Sequence, residues 1–283
     1  MGKPDCLIIE KQIAAMNIHY YYYSFEYFLD VQRKLGCSSI ELWGGSPHFW
    51  VDHLSYNDCK IIKKQIEHRN LDIVAFTPEC TSYRYMLCAT DPDRHRKSIE
   101  YFKKCIKVTA ELGVSVMPIN TMGKYQDEGY DTAWERCVES VSILCEEAKR
   151  NNVTLAMETL CPDQIGVIRN LNELTKLFAE VNNDNLKALL DLVSVESAGE
   201  SIDQWFATLG EKIVHTHFVD GRNTSDHLVW GDGCYPLGRF ITKLNNHGYK
   251  GYLGQEITSR SYYKDPAFAD MKNMKALRKY LKC

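Results

Sequence analysis

Four acidic or histidine side chains end consecutive apolar runs in the second half of the chain. The runs close with the letters AME, LLD, HTH and GQE, whose last residues are Glu158, Asp191, His217 and Glu256. One acid at such a point is often only a helix cap, but four together need another explanation. Carboxylates and imidazole are ligands that divalent cations take in proteins. We therefore predict that these four residues share one metal ion.

A second histidine, His215, lies two residues before His217. Side chains alternate along a strand, so both imidazoles point to the same face of the sheet. His217 is nearer the end of the strand and is the predicted ligand. His215 should lie one layer below, as a hydrogen-bonded core residue or as a support for the ligands.

The pattern of the whole chain predicts a fold in which the ends of the strands lie close together. Short apolar runs alternate eight times with segments of helical period. The predicted strands are 14–21, 39–43, 72–77, 114–119, 153–157, 186–190, 213–218 and 251–255. The predicted helices are 24–35, 55–69, 93–112, 131–151, 171–181, 201–209, 236–247 and 265–281. Eight unbroken βα units favour a closed parallel barrel of the α/β class, a single (β/α)₈ TIM barrel domain over residues 1–283, with its chemistry at the strands' C-terminal ends.

Composition and charge exclude several other classes of protein. The formal net charge of −3 leaves no basic surface for nucleic acid. No apolar stretch approaches the roughly 20 residues that cross a bilayer, and the N-terminal apolar run is too short for a signal peptide. The eleven cysteines are odd in number and form no CxxC pair, so we expect reduced, mostly buried thiols. We therefore expect a cytoplasmic protein without membrane or nucleic-acid partners.

The strand ends also match a known family. The segments LAMETL, LLDL, VHTHFVD and GQEIT resemble the xylose-isomerase-like TIM barrels, the sugar phosphate isomerase/epimerase superfamily. The resemblance covers nearly the whole chain. The segments IELWGGSPH, TPECTSYRY and HLVWGDG look most like the branch that contains fructoselysine 3-epimerase, with the ketose 3-epimerases more distant.

The resemblance implies roles for the four strand-end residues. In that family the matching positions bind one divalent ion, commonly Mn²⁺, Co²⁺ or Mg²⁺, and the two glutamates, here Glu158 and Glu256, form the acid/base pair. The donor set agrees independently, because three carboxylates and one imidazole suit Mn²⁺ or Mg²⁺ and lack the thiolates of structural zinc. Of these three ions, we expect Mn²⁺ to be the one that the protein binds.

Two positions depart from the family pattern. Ser194 stands where many relatives have a histidine, three residues after the aspartate. Asn223, with Arg222 beside it, stands where the free-ketose 3-epimerases have an arginine. Both positions usually contact substrate, so the changes weaken the case for a small free ketose. The related apurinic-site endonucleases need three metals and more histidines, which argues against a DNA-repair role.

The implied chemistry is proton transfer at a carbon next to a carbonyl. Such a hydrogen is too weakly acidic for an unaided carboxylate, and a divalent ion stabilises the resulting cis-enediolate by several kcal/mol. If one glutamate removes the proton from one face and the other returns it to the opposite face, the carbon is inverted. Which of Glu158 and Glu256 takes the proton depends on the substrate's configuration.

Other polar and aromatic residues are candidates for the rim of the pocket. We predict substrate contacts for His48, Glu79, Arg222 and His227. Glu79 would meet a positively charged or hydroxyl-bearing substrate tail. Glu41 either lies inside the barrel or faces the substrate. The further candidates for a wall that stacks on a sugar are Trp43, Trp230 and Tyr20–Tyr23, although half of these tyrosines should instead pack between barrel and helices.

The sequence thus predicts a metal-dependent sugar epimerase or isomerase, preferably for 3-epimerisation of a 2-ketose or a fructoselysine-like conjugate. The first alternative is a lyase that cleaves 3-keto-glycosides (the C-glycoside deglycosidase type) by the same enolate chemistry, aided by a small partner subunit. The second is a non-catalytic sugar-binding barrel, for which two retained glutamates would have no use. Relatives are often dimers or tetramers, so we expect a homo-oligomer.

Overall fold

Strands and helices alternate along the chain in the computed structural model, which describes residues 7–81, 84–121, 123–222 and 224–281. The strands are Ile13–Met16 (β1), Ser39–Gly44 (β2), Asp72–Pro78 (β3), Val116–Ile119 (β4), Thr154–Glu158 (β5), Leu186–Asp191 (β6), Ile213–His217 (β7) and Leu253–Gln255 (β8). They are buried along most of their length, which explains why they read as continuous apolar runs rather than as alternating ones.

The helices cover the outside of the sheet. They are Phe25–Leu35 (α1), Tyr56–Glu67 (α2), Pro92–Glu111 (α3), Tyr130–Arg150 (α4), Leu171–Val181 (α5), Leu192–Ser197 (α6), Ile202–Leu209 (α7), Leu237–Asn246 (α8) and Pro266–Leu277 (α9). Local signals set several starts. Ser24 caps α1, and Ser55 and Asp58 form the capping box of α2. No helix in the described ranges is long and apolar enough to cross a membrane.

The strands form one parallel sheet that curls into a barrel. Its hydrogen-bonded order is β3-β2-β1-β8-β7-β6-β5-β4, and each of these pairs is parallel. The two end strands, β3 and β4, also lie beside each other. The barrel is therefore nearly closed, and the predicted (β/α)₈ architecture is confirmed. Four helical cysteines, Cys59, Cys105, Cys137 and Cys145, are unbridged and buried, as predicted.

Two element predictions were wrong in detail. The first strand was expected over 14–21, but β1 ends at Met16 and the chain then turns. The reason is that the side chain of Asn17 bonds to the backbone of β2, since its Oδ1 accepts from the amide of Trp43 at 2.7 Å. Helix α6 was not predicted. It starts at once after Asp191, whose carboxylate accepts from the amide of Val193 at 2.8 Å and so caps the helix.

Candidate active site

Four strand ends bring the predicted ligands together. Glu158, Asp191 and His217 are the last residues of β5, β6 and β7, and Glu256 directly follows β8. Asp191 pairs with His217 in the register of the sheet. One donor atom from each of the four residues lies within 4.8 Å of the others. The side chains can therefore converge on a single ion.

Two histidines face the carboxylates of this cluster. Nδ1 of His217 lies 2.6 Å from Oε1 of Glu158 and 3.2 Å from Oε2 of Glu256. Nε2 of His227 lies 2.9 Å from Oδ2 of Asp191 and 3.2 Å from the same Glu256 oxygen. Only Glu256 is half-buried, and the other residues are buried. Three carboxylates are thus concentrated in a poorly solvated space, which favours a compensating positive charge.

The pKa values of the buried acid and histidine side chains show that the site favours positive charge. Burial raises the pKa of Glu158 to about 7, against the lowering effect of His217. Burial lowers the pKa of His227, but the carboxylates of Asp191 and Glu256 outweigh it and raise that pKa to about 10. The carboxylates around His217 likewise outweigh its burial and hold its pKa well above the usual value. A divalent cation could replace these protons, and the oxygen-rich donor set fits Mn²⁺, Co²⁺ or Mg²⁺.

We expect metal binding to release protons and to weaken as the pH falls. The surrounding carboxylates favour the protonated form of His217 without metal, and a pKa of about 7 places the ionisation of Glu158 between pH 6 and pH 8. A cation must displace these protons, so the Glu158 proton alone should lower Mn²⁺ affinity by about tenfold between those pH values. Calorimetric titration with Mn²⁺ in two buffers of different ionisation enthalpy measures the protons released. Binding without proton release at pH 6 would contradict the assigned protonation.

A buried carboxylate contacts the side of His217 that faces away from the other candidate ligands. In Glu41 of β2, Oε1 lies 3.0 Å from Nε2 of His217, and Oε2 lies 2.8 Å from Nε2 of His215. The hydroxyl of Thr77 also donates a hydrogen bond to Oε1 of Glu41. Glu41 is fully buried, so the structure places it inside the barrel rather than facing a substrate. His215 is the hydrogen-bonded core histidine. This arrangement leaves Nδ1 of His217 as the nitrogen that faces the carboxylates of the candidate metal site.

Loss of the Glu41 charge should therefore weaken metal binding. We expect Glu41→Gln to lower Mn²⁺ affinity by about 10–100-fold, because partners that orient a metal-binding histidine contribute that much. The matched control is Glu200→Gln, since Glu200 bonds to Leu171 and Trp205 away from the cluster. Mn²⁺ affinity is measured on both variants after circular dichroism has shown that they are folded. Equal affinity in the two would show that Glu41 does not act on the metal site.

Two further polar residues hold the carboxylates. Asn120, directly after β4, donates from Nδ2 to Oε2 of Glu158 at 3.3 Å. The hydroxyl of Ser194 donates to Oδ2 of Asp191 at 3.1 Å and is buried. Sequence reasoning missed Asn120, although the rule of reading each strand's end would have found it. Ser194, identified as a departure from the family pattern, holds a predicted metal ligand.

A cavity of about 500 Å³ opens above the cluster. Glu158, Asp191 and Glu256 line its floor, together with His227. The remaining wall is rich in aromatic rings, which are those of Trp43, Trp50, Tyr21 and Tyr263. Such a volume, lined by both polar groups and aromatic rings, suits a small-molecule substrate.

The predicted rim residues divide into two groups. Glu79 and His227 line the cavity. The structure does not place His48 and Arg222 in that lining. His48 donates to the carbonyl of Tyr23 at 2.7 Å and accepts from Asn17 at 3.1 Å, and Arg222 donates to the carbonyl of Asp232 at 2.5 Å. The substrate contacts of all four residues stay predictions.

The aromatic candidates also divide. Trp43 and Tyr21 line the cavity. Trp230 is buried and donates to the carbonyl of Phe218 at 3.1 Å, and Tyr20 is buried with its hydroxyl on Asp270. These two rings pack inside the protein and do not form a wall for substrate. Asn223, the other departure from the family pattern, lies outside the described residues.

Comparisons with known proteins match this chain in sequence and fold. A family model for xylose isomerase-like TIM barrels matches residues 29–281. Fructoselysine 3-epimerase from Shigella flexneri is 29% identical over 82% of this chain and 84% of its own. The structure of D-psicose 3-epimerase from Clostridium cellulolyticum H10 with D-tagatose superposes with a TM-score of 0.79, at 20% identity, over 96% of this chain and 100% of that one. The structure of a 3-keto-D-glucoside 4-epimerase from E. coli superposes with a TM-score of 0.79, at 16% identity, over 95% of this chain and 99% of that one.

Proposed function

Because the chain belongs to the xylose isomerase-like TIM barrel family, we propose that it is a divalent-metal-dependent sugar epimerase. The preferred reaction is inversion at C3 of a 2-ketose or of a ketose conjugate. The observation that carries the proposal is the convergence of donor atoms of Glu158, Asp191, His217 and Glu256 within 4.8 Å of one another, with the three carboxylates lining the cavity. A binding protein for sugars would not need two ionisable glutamates at that point.

The four converging residues would hold the ion. When bound, it supplies positive charge that stabilises the cis-enediolate formed as the substrate loses its proton. We propose Mn²⁺ as the resident ion, with Co²⁺ or Mg²⁺ as substitutes, since the donor set is mostly oxygen. His217 contributes through Nδ1, because its Nε2 faces Glu41.

The two glutamates would move the proton. Glu158 and Glu256 come from strands separated by β6 and β7, and both line the cavity. They can therefore reach a substrate carbon from different sides. Burial raises the pKa of Glu158 to about 7 in the metal-free site, and the bound ion would lower it, so that the carboxylate is ionised and ready to take a proton at neutral pH. Asn120 holds the second oxygen of Glu158 and fixes its orientation.

The relatives and the two departures from the family pattern support a proposed substrate class. A relative at 29% identity is a fructoselysine 3-epimerase, and another, from Ruminiclostridium cellulolyticum, is a D-psicose 3-epimerase at 24%. The serine and asparagine at positions 194 and 223 weigh against a small free ketose. We therefore propose a fructoselysine-like conjugate as the preferred substrate. The cytoplasm is the proposed location, which the unbridged thiols among the described cysteines support.

A product screen tests the proposed function. Mn²⁺-loaded protein is incubated with fructosamine conjugates, with free ketoses and with 3-keto-glycosides, and the products are identified by NMR. We expect C3 epimers, with the highest kcat/KM for a conjugate. Free psicose or fructose with the highest kcat/KM would refute the substrate class, and absence of any epimer would refute the reaction.

The same screen distinguishes the alternatives. The lyase differs only in having a leaving group beta to the carbanion, so it would release an aglycone from a 3-keto-glycoside. The similarity in fold to a 3-keto-D-glucoside 4-epimerase makes these substrates worth including. Purification with a small partner subunit would also favour the lyase, whereas a homodimer or homotetramer is our expectation for the epimerase. Sugar binding without any proton exchange would favour a non-catalytic barrel.

A further inference from the structure

One carboxylate of the cavity lining stands apart from the metal cluster. Glu79 directly follows β3, lines the cavity and is half-buried. Its Oε1 accepts hydrogen bonds from the amide and the hydroxyl of Thr81, both at 2.7 Å. Within the part of the chain that the structure describes, no salt bridge involves Glu79. The Thr81 turn therefore orients the carboxylate without neutralising it.

Most of the charged side chains that line the cavity are carboxylates. The other charged groups of the lining are Glu158, Asp191 and Glu256, with His227 beside them. A bound dication would offset the charge of these metal-facing carboxylates and leave Glu79 as a separate negative charge. No lysine or arginine occurs among the described residues that line the cavity. At the Glu79 end, away from the ion and His227, a phosphate would thus meet repulsion and no lysine or arginine, whereas an ammonium group there would meet attraction.

The cavity also provides a path from the metal end to Glu79. β3 and β5 are separated by β4, so their ends are about 10 Å apart at the usual strand spacing. Aromatic rings line the same cavity, and Tyr21 stacks on Tyr263 with ring centroids 5.5 Å apart and planes at 9°. Such walls accept an alkyl chain, and their faces also attract cations.

We infer that the cavity takes an unphosphorylated keto-sugar with an alkylammonium substituent, whose cationic end is received by Glu79. The inference rests on the proposed function for the placement of the sugar at the metal end. It names Glu79 as the residue that selects the substituent by charge. It also narrows the choice left by the sequence, between a charged and a hydroxyl-bearing tail, to the charged one.

Three probes of nearly equal length test the inference. Fructose is joined through C1 to 1,5-diaminopentane, to 5-aminopentan-1-ol or to 5-aminopentanoate, so that only the distal group changes from ammonium to hydroxyl to carboxylate. Binding to the Mn²⁺-loaded protein is measured by calorimetry. We expect the ammonium probe to bind about tenfold more tightly than the hydroxyl probe, as a hydrogen bond to a charged group allows. The carboxylate probe should bind most weakly, and added salt should reduce these differences.

Two variants assign the preference to one side chain. Glu79→Gln keeps an oxygen for Thr81 and removes the charge, so the ammonium and hydroxyl probes should then bind within about twofold of each other. The matched control is Asp163→Asn, because Asp163 is an exposed acid that bonds to Ser225 and does not line the cavity. This control should keep the tenfold preference.

The outcomes separate this inference from the proposed function. A preference that persists in Glu79→Gln, or disappears in Asp163→Asn, overturns the role of Glu79. Equal binding of the three probes overturns the inference and leaves the proposed function intact. Binding of none while free fructose is epimerised overturns the inference and the proposed conjugate, and leaves the proposed reaction intact. Binding of the ammonium probe through Glu79 without any epimer or proton exchange supports the inference and overturns the proposed function.

Discussion

Replacement of either cluster glutamate by glutamine should lower turnover by about 10²–10⁴-fold, which is the usual contribution of a positioned acid–base group. Glu158→Gln and Glu256→Gln each remove one proton carrier and keep a neutral oxygen beside the ion. The side chains are equal in size, so the buried site of Glu158 should accept the change. Turnover of the best substrate from the product screen is measured for both variants against the parent protein.

The two variants should differ in proton exchange. The variant without the abstracting base should lose deuterium exchange from the substrate. The variant without the opposite-face acid should still wash deuterium into the starting epimer without inverting it. Both glutamates are also predicted ligands, so metal content is measured on the same samples. If both variants keep their metal and turn over normally, the two-glutamate mechanism is refuted.

Loss of Asp191 should remove the metal itself. Its carboxylate is almost fully buried and lies 2.9 Å from His227 at the centre of the cluster. Asp191→Ala deletes one of four donors and should lower Mn²⁺ affinity by at least about 100-fold, more than the loss of a supporting residue would. Elemental analysis of protein purified without chelator should find about one ion per chain in the parent protein and almost none in the variant.

A second buried aspartate is the control for this change. Asp270 of α9 bonds to His19 at 2.9 Å and to Tyr20 at 2.6 Å, away from the cluster. Asp270→Ala should lower thermal stability, because it leaves buried partners unsatisfied, but the folded protein should keep its metal. Equal metal content in Asp191→Ala and the parent protein would rule out Asp191 as a ligand.

The convergence of the four candidate ligands could be predicted because the barrel imposes a simple rule. All eight parallel strands end at the same rim, so residues far apart in the chain become neighbours wherever strands end. Glu158 and Glu256 are nearly a hundred positions apart in the sequence, yet both lie within 3.2 Å of Nδ1 of His217. Reading only the last residue of each apolar run was enough to find them.

The supporting contacts could not be predicted in the same way. Glu41 bonds to His217 although β1 and β8 separate their two strands in the sheet. Which side chains meet inside the barrel depends on stagger and on local irregularities, and the β2–β3 register shifts at Glu41 itself. The sequence therefore left open whether this carboxylate pointed inward or toward substrate.

The end of β1 shows how tertiary contacts override a local pattern. The tyrosine-rich segment after Met16 has the composition of a strand. Asn17 instead turns the chain through its bond to Trp43, and the hydroxyl of Tyr20 bonds to Asp270, 250 positions away. The sequence of the segment itself does not indicate that Asn17 and Tyr20 bond to these distant residues. The backbone carbonyls that His48 and Arg222 contact are likewise not evident in the sequence, and their predicted substrate contacts stay predictions.

Deuterium incorporation at C3 of a fructosamine conjugate tests the central claim most directly. The protein is incubated with the conjugate in D₂O in three states, namely loaded with Mn²⁺, stripped with chelator, and stripped then reloaded. The account predicts deuterium at C3 with the loaded protein, none with the stripped protein, and recovery on reloading. Exchange that continues at the same rate after complete metal removal would contradict it, as would the absence of exchange from every keto-sugar tested with the loaded protein.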